Sequence, residues 1–394
     1  MARWSSFSAF LDDIAQGDDQ QALADQLLQE RADWPWVEAA QATFVYSHAG
    51  TESVALNLDT IPKDPPFAPM TQVEGTDLWY VTQTFELDDL LDYMLAVDDP
   101  MTPLAQETNI LARVTDHWKP DPLNPAKMET AQLNVSVLRM GEARPFPDWS
   151  AMRAVPRGRT YEHSIDSDAM NYRGRKLWVY TPPGYDGSGM AYPLLIMQDG
   201  QWATGPLQLP YIADALIKHR RMQPAVIAMM QSGTQEERNR EYISSDKHYT
   251  FLLSELMPFV QTHYRIDSNR VGVGGVAVGA IAAAHAALKN PAVFSRLMLV
   301  SPPLGRGEYQ EELREYNKRF AGAEVLPKRI FQSVGRYEAK ARFHKPAHAL
   351  KMILDGYRSV EYKFVESGSG HGLVGFRSVL PEALAWTFPG DAFA

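Results

Sequence analysis

The sequence predicts an α/β fold, a mostly parallel sheet with helices on both faces, preceded by a smaller all-β sandwich. Three observations carry this. A chain of 394 residues is long enough for two units, each burying its own core. From about residue 160, apolar runs such as "YPLLIMQDG", "PAVIAMMQ" and "FSRLMLVSPP" alternate with helical segments such as "LPYIADALIKH" and "GAIAAAHAALKN". Continuous apolar strands between helices belong to a parallel sheet covered on both sides. Further upstream, "QATFVYSHAG", "ESVALNLDT" and "DLWYVTQTFEL" are short alternating runs separated by Gly, Pro and Asp, which is the pattern of a sandwich.

In chain order, residues 1–33 read as amphipathic helix, with Phe7, Phe10, Leu11 and Ile14, then Leu23, Leu27 and Leu28, at helical spacing. The sandwich is expected over 34–142, closing through "DYMLAVDD", "DPLNP" and "NVSVLRM". A Pro- and Gly-rich linker follows over 143–159, and the α/β unit occupies 160–394. Sites in open α/β sheets lie at the carboxyl ends of the strands.

Composition narrows the function. Hydrophobic residues make up 45% and charged residues 22%, and the net charge of −10 argues against a nucleic-acid partner, which needs basic faces. The absence of cysteine rules out disulfides, thiolate metal sites and a cysteine nucleophile. No cofactor and no metal is expected. The start, "MARWSSFSAFLDDIAQGDDQ", has acidic residues where a secretory signal has an apolar core, and no stretch approaches a membrane span, so a cytoplasmic location is expected.

Chemistry is expected at four strand ends. Gly275-Val276-Ala277-Val278-Gly279 matches the nucleophile elbow G-x-S-x-G except at the central position, where alanine stands for serine. Taken alone, the pentapeptide is equally a small-residue strand-to-helix turn. Triads on this architecture run nucleophile, acid, histidine. Glu338 follows the strand "RIFQSVG", and His371 follows "EYKFVESGSG" ahead of the closing helix, so both the order and the placement fit. After "MQDGQWA" (Met197 to Ala203), the backbone N–H of Gly200 or Gln201, with that of Val278, would supply an oxyanion hole, and Asp199 reads as a turn former. His285 reads as a packed helix residue, while His117, His163 and His219 have no evident partner in the sequence.

With these residues in place, "YPLLIMQDGQWA", the long stretch from "RNREYISSDKHY" through "RVGVGGVAVGAIAAAHAALKN" to "LVSPPL", and "GSGHGLVGFRSVLPEALAW" resemble the enterochelin (enterobactin) esterase family of esterase D-type α/β-hydrolases. "GTDLWYVTQTFEL" and "DPLNP" are similar to that family's N-terminal immunoglobulin-like domain. The resemblance spans about residues 35–390. It implies a serine nucleophile at position 277, His371 as general base and an acid near Glu338. It also implies a bulky ester substrate such as a siderophore trilactone. His371 is followed by Gly372-Leu373 and Phe376-Arg377, where the family has a polar residue and tryptophan and then Trp-Arg.

A basic segment, "GRYEAKARFHKPAH", carries Arg336, Lys340, Arg342 and Lys345 with His344 and His348 beside the acid loop. It reads either as a solvated helix start or as a rim for an anionic ligand such as a ferric tris-catecholate. Arg336 and Arg342, with Arg240 and Trp202, are the candidate substrate-binding residues; Arg240-Glu241 is either an ion pair or a substrate clamp.

Alanine at 277 has two explanations. One is an inactive variant of a serine enzyme. The other is a natural pseudo-hydrolase that binds without cleaving. The retained glycines, Glu338 and His371 favour the first. A third reading makes the chain a feruloyl or acetyl esterase with a glycan-binding sandwich, for which Trp79, Tyr80 and Trp118 could form an aromatic platform.

Overall fold

The computed structural model describes residues 3–129 and 134–391; the parts of the expected ranges at 1–2, 130–133 and 392–394 lie outside the described residues. The chain divides into two compact units. One runs to Arg144 and takes in Gly368–Gly375, and the other holds Pro145–Ser367 and continues from Phe376.

In the first unit the N-terminal amphipathic stretch forms two helices, Phe7–Ile14 and Gln20–Glu30. The break falls where Asp19 accepts from the Ala22 N–H and caps the second helix, as Ser6 caps the first through the Ala9 N–H. Phe7, Phe10, Ile14, Ala24 and Leu27 pack on Trp34, Trp36, Val45 and Leu78. Strand Gln41–Ser47 is apolar on both faces because it has a layer on each. Val45 belongs to the helix-side cluster, while the Phe44 ring meets Tyr93 edge-on at 4.8 Å. Gln41–Ser47 lies in a four-stranded sheet, and Tyr93 in the strand Leu90–Val97 of a six-stranded one. Every pairing in both sheets is antiparallel.

Two of the aromatics proposed as a glycan platform are packing residues instead. Tyr80 lies against Phe7 with ring centroids 5.1 Å apart. Trp118 packs edge-on against Phe67 at 5.5 Å and donates its indole N–H to Asp99 at 3.0 Å. Aromatic side chains carry large apolar area, and a small sandwich uses them to fill its layers.

The second unit is built on one eight-stranded sheet: β1 (Arg159–Ser167), β2 (Tyr172–Thr181), β3 (Tyr192–Met197), β4 (Val226–Met230), β5 (Ile266–Val276), β6 (Phe294–Val300), β7 (Arg329–Gly335) and β8 (Glu361–Ser367). Their spatial order is β1-β2-β4-β3-β5-β6-β7-β8. The β1–β2 and β2–β4 pairs are antiparallel, and all later pairs are parallel. β3 and β4 are buried at every position, which is why they read as unbroken apolar runs. The β1–β2 hairpin escaped the sequence reading because β1 is mostly exposed and polar. Helices α1 (Gly200–Thr204), α2 (Gln235–Tyr242), α3 (Val278–Lys289), α4 (Lys345–Asp355) and α5 (Leu373–Thr387) start after strands β3, β4, β5, β7 and β8. The junctions after β3, β5, β7 and β8 carry expected site residues, and α2 supplies Arg240. No helix among the described residues is long and apolar enough to cross a membrane.

Candidate active site

The strand-to-helix turn at the end of β5 is built as its glycines predict. Ala277 has φ 50° and ψ −122°, a strained backbone for a residue with a Cβ. Its N–H donates to the Val300 carbonyl at 2.9 Å, which ties the turn to β6, and its own carbonyl accepts the Ala280 N–H at 3.0 Å to open α3. The helix then crosses so close to the strand that a Cβ on Gly275 would stand 2.2 Å from the carbonyl carbon and oxygen of Gly279. A Cβ on Gly279 would stand 2.7 Å from the Asp199 carboxylate. Any heavier residue at either position would push the turn apart. The Ala277 side chain is partly exposed.

Asp199 does more than form a turn. Its backbone is left-handed, with φ 59° and ψ 53°, and its buried carboxylate receives Arg238 through Nε at 2.7 Å and Nη2 at 2.8 Å. The same Nη2 reaches the Val276 carbonyl at 3.3 Å, so one guanidinium joins the end of β3 to the end of β5. Burial opposes the charge on Arg238, but the hydrogen bonds and charge of Asp199 outweigh it and hold its pKa above the ordinary arginine value. Arg238 also lies over the Trp202 ring at 4.9 Å. Sequence reasoning missed Arg238. Its signal was an arginine two positions before Arg240 in a helix with little apolar content, where no burial is expected.

The expected oxyanion donors stand at two helix starts. Trp202 and Ala203 donate back to the Asp199 carbonyl at 2.9 and 3.0 Å, while the N–H groups of Gly200 and Gln201 open α1, where a helix has no internal acceptor for them. The Gln201 side chain is engaged elsewhere: it donates to Ser232 Oγ at 2.7 Å and accepts from the Ser232 N–H at 3.2 Å, fixing α1 to the loop after β4. Val278 is likewise the first residue of α3 and packs with Tyr242 and Ala282.

Glu338 lies in the turn after β7 and is 2% exposed. Its N–H closes that turn on the Gly335 carbonyl at 3.2 Å, and the neighbouring Arg336 N–H donates to the Ser367 carbonyl of β8 at 2.8 Å. His371 leaves the end of β8 in the segment that groups with the first unit. There the Gly368 carbonyl accepts the Leu90 N–H at 2.8 Å and Ser369 Oγ donates to the Leu90 carbonyl at 2.7 Å. Glycines flank His371 because carboxylates crowd the segment. A Cβ at Gly370 would be 2.4 Å from Asp59, and one at Gly372 would be 2.6 Å from Asp92. Burial, then the nearby Asp59 charge, pushes the Asp92 carboxyl up to about 6, against the pull of His371.

The candidate substrate-binding residues are dispersed. Trp202 is beside the Asp199–Arg238 pair. Arg240 is exposed and lines a surface cavity with Tyr172, Arg175 and Lys247, while Glu241 pairs with Arg175 at 2.5 Å. Of the two readings for Arg240-Glu241, the ion pair is present, but its partner is Arg175. Arg336 faces Glu366 at 3.9 Å, and Arg342 packs along Gly307 and the Phe343 ring. Three other histidines have structural partners: His285 with Asp246 at 2.8 Å, His163 with the Tyr264 hydroxyl at 2.6 Å and His117 with the Val97 carbonyl at 3.2 Å, while His219 is exposed. His248 is fully enclosed beside Gln198 Oε1 at 3.1 Å, and burial pushes its pKa down to about 3.

This strand order, with helices starting at the carboxyl ends of the parallel strands, defines an α/β-hydrolase of the esterase type. Residues 167–387 match the esterase family and residues 41–149 match the N-terminal domain of enterochelin esterases; the chain belongs to that family of carboxylic ester hydrolases. It is 26% identical over 354 residues to the iron(III) enterobactin esterase of Dickeya dadantii, covering 82% of this chain and 79% of the relative. Among solved structures it is similar to the enterobactin esterase of Shigella flexneri determined in the presence of enterobactin, with TM-score 0.73, 19% identity, and 92% and 97% of the two chains covered. It is also similar to the ferric enterobactin esterase of Salmonella typhimurium, with TM-score 0.75, 18% identity, and 92% and 98% covered.

Proposed function

We propose that this chain carries the site of a serine esterase that opens the lactone esters of a catecholate siderophore, held here without its nucleophilic oxygen. The observation that carries the reading is the backbone of Ala277: the strained turn and its glycines are kept although a methyl group has no use for them. The N-terminal enterochelin esterase match and the Dickeya relative support the substrate class. A cytoplasmic setting belongs to the same proposal and rests on the family resemblance.

With serine at 277, His371 takes the hydroxyl proton as the oxygen attacks the ester carbonyl. The N–H groups of Gly200 or Gln201 and Val278 receive the oxyanion, and Glu338 orients the imidazole. The protonated histidine returns its proton to the departing alkoxide. A water activated by the same histidine then releases the acyl group. With alanine, loss of a triad nucleophile lowers kcat about a million-fold, while binding is retained.

The test is turnover of a cyclic catecholate trilactone and of a short aryl ester by the Ala277→Ser protein, with linear products followed by chromatography. Gain on both substrates is expected. Gain on the aryl ester alone would overturn the siderophore assignment, and gain on neither would favour a natural pseudo-hydrolase.

A further inference from the structure

Beside the acid turn, the basic segment is organised around one carboxylate. Lys340–His344 leads into α4, and spacing of four sets His344 and His348 on the same helical face, with ring centroids 4.5 Å apart. Glu366 on β8 meets both: its Oε2 accepts from Nε2 of His344 at 3.1 Å and from Nε2 of His348 at 2.8 Å. The three potential ligand atoms all lie within 4.8 Å of one another. The other carboxylate oxygen, Oε1, faces Arg336 Nε at 3.9 Å, which leaves Oε2 to the histidines. The His348 ring is braced edge-on by Phe364 at 5.1 Å.

We propose that His344, His348 and Glu366 form a binding site for a first-row divalent cation of the Zn2+ class. Two imidazoles and a carboxylate are the donor set such an ion prefers, whereas Ca2+ and Mg2+ favour all-oxygen sites. Bonds of about 2.0–2.2 Å to an ion between these atoms need ligand atoms only a little over 3 Å apart, so the side chains have to open by a few tenths of an ångström. Without the ion, each Nε2–H donates to Glu366. On binding, each Nε2 gives up its proton and turns its lone pair to the metal: in a neutral ring the proton moves to Nδ1 through solvent, an imidazolium keeps its Nδ1 proton and releases the Nε2 proton to solvent, and water completes the coordination. The Arg336 charge beside Glu366 weakens the site without blocking it. No metal is expected from the sequence, because the ligands come from a helix and a strand that only the fold brings together.

The position gives the site a consequence. Ser367, next to Glu366, receives the Arg336 N–H at 2.8 Å, and that segment continues into the turn bearing Glu338. A bound ion therefore braces the strand end that carries the candidate acid.

Calorimetric titration of the full chain with Zn2+ tests the proposal, with the thermal midpoint and the visible absorption of the Co2+ form as second readouts. One saturable ion per chain, a raised midpoint and d–d bands in the Co2+ form are expected. His344→Ala, His348→Ala and Glu366→Gln each weaken binding by more than about tenfold, the scale that loss of even an outer-shell partner reaches. His219→Ala, at an exposed histidine away from the cluster, leaves binding unchanged. If a histidine variant does not fold, the near-isosteric Glu366→Gln carries the test. No saturable binding at millimolar Zn2+, or binding indifferent to the His344, His348 and Glu366 substitutions, would overturn the proposal.

Discussion

Arg238 grips both carboxylate oxygens of Asp199, at 2.7 and 2.8 Å, and with its third contact, to the Val276 carbonyl, it pins the turn before Ala277. Both side chains are almost wholly buried. Breaking such a pair by removing one partner strands a charge and costs about 3–5 kcal/mol, whereas replacing both by apolar residues of similar size is far milder. Asp199→Leu is therefore expected to be strongly destabilising and Asp199→Leu/Arg238→Met to recover most of the loss, measured by urea unfolding. Additive costs would show that the pair is not coupled.

The elbow glycines have unequal tasks. At Gly275 a Cβ meets backbone, which cannot yield, while at Gly279 it meets a carboxylate and the Gln198 Cβ. Gly275→Ala is expected to be the more damaging, with Gly279→Ala costing about 1–3 kcal/mol by overpacking. Ala277→Gly, in contrast, relieves a φ of 50° and is expected to stabilise by up to about 1 kcal/mol. A destabilised Ala277→Gly protein would show that the turn is not strained.

Much of this region was legible in the sequence, and the reason is physical. Gly275, Gly279 and the apolar run of β5 serve local geometry, so residue type reports directly on conformation. The same holds for β3 and β4, buried on both faces. Arg238 was not legible because its burial depends on Asp199, 39 positions away in the chain. The β1–β2 hairpin was hidden by an edge strand with little apolar surface, and the single N-terminal helix became two because a capping aspartate, rather than apolar spacing, sets the break. His344 and His348 were visible only as part of a basic segment and Glu366 not at all, since their convergence is a product of the β7–α4–β8 packing.

Asp92 gives a pH dependence of defined sign. Its folded pKa is raised to about 6, from an ordinary value of 3.8, by burial and by Asp59. The native state thus holds that proton more tightly than the unfolded chain. Its contribution is fully present below pH 3.8 and is lost as pH rises through 6. Asp92→Asn is expected to raise the thermal midpoint at about pH 7.5 and to change it little at about pH 4. An equal shift at both values would contradict the burial of this carboxyl.

Glu338 is expected to act on catalysis through the histidine. In the Ala277→Ser background, Glu338→Gln should lower kcat by about 10^3–10^4-fold with little change in KM, the pattern for loss of a triad acid. A change confined to KM, or none, would return Glu338 to a structural role in the β7 turn.

The central claim is that position 277 is a nucleophile site lacking only its oxygen. Reaction of the Ala277→Ser protein with a fluorophosphonate, read by intact mass and peptide mapping, tests it most directly. One adduct is expected, on the introduced serine, formed much more slowly when His371 is also changed to Ala and not formed at all by the parent chain. A folded Ala277→Ser protein that stays unlabelled would contradict it.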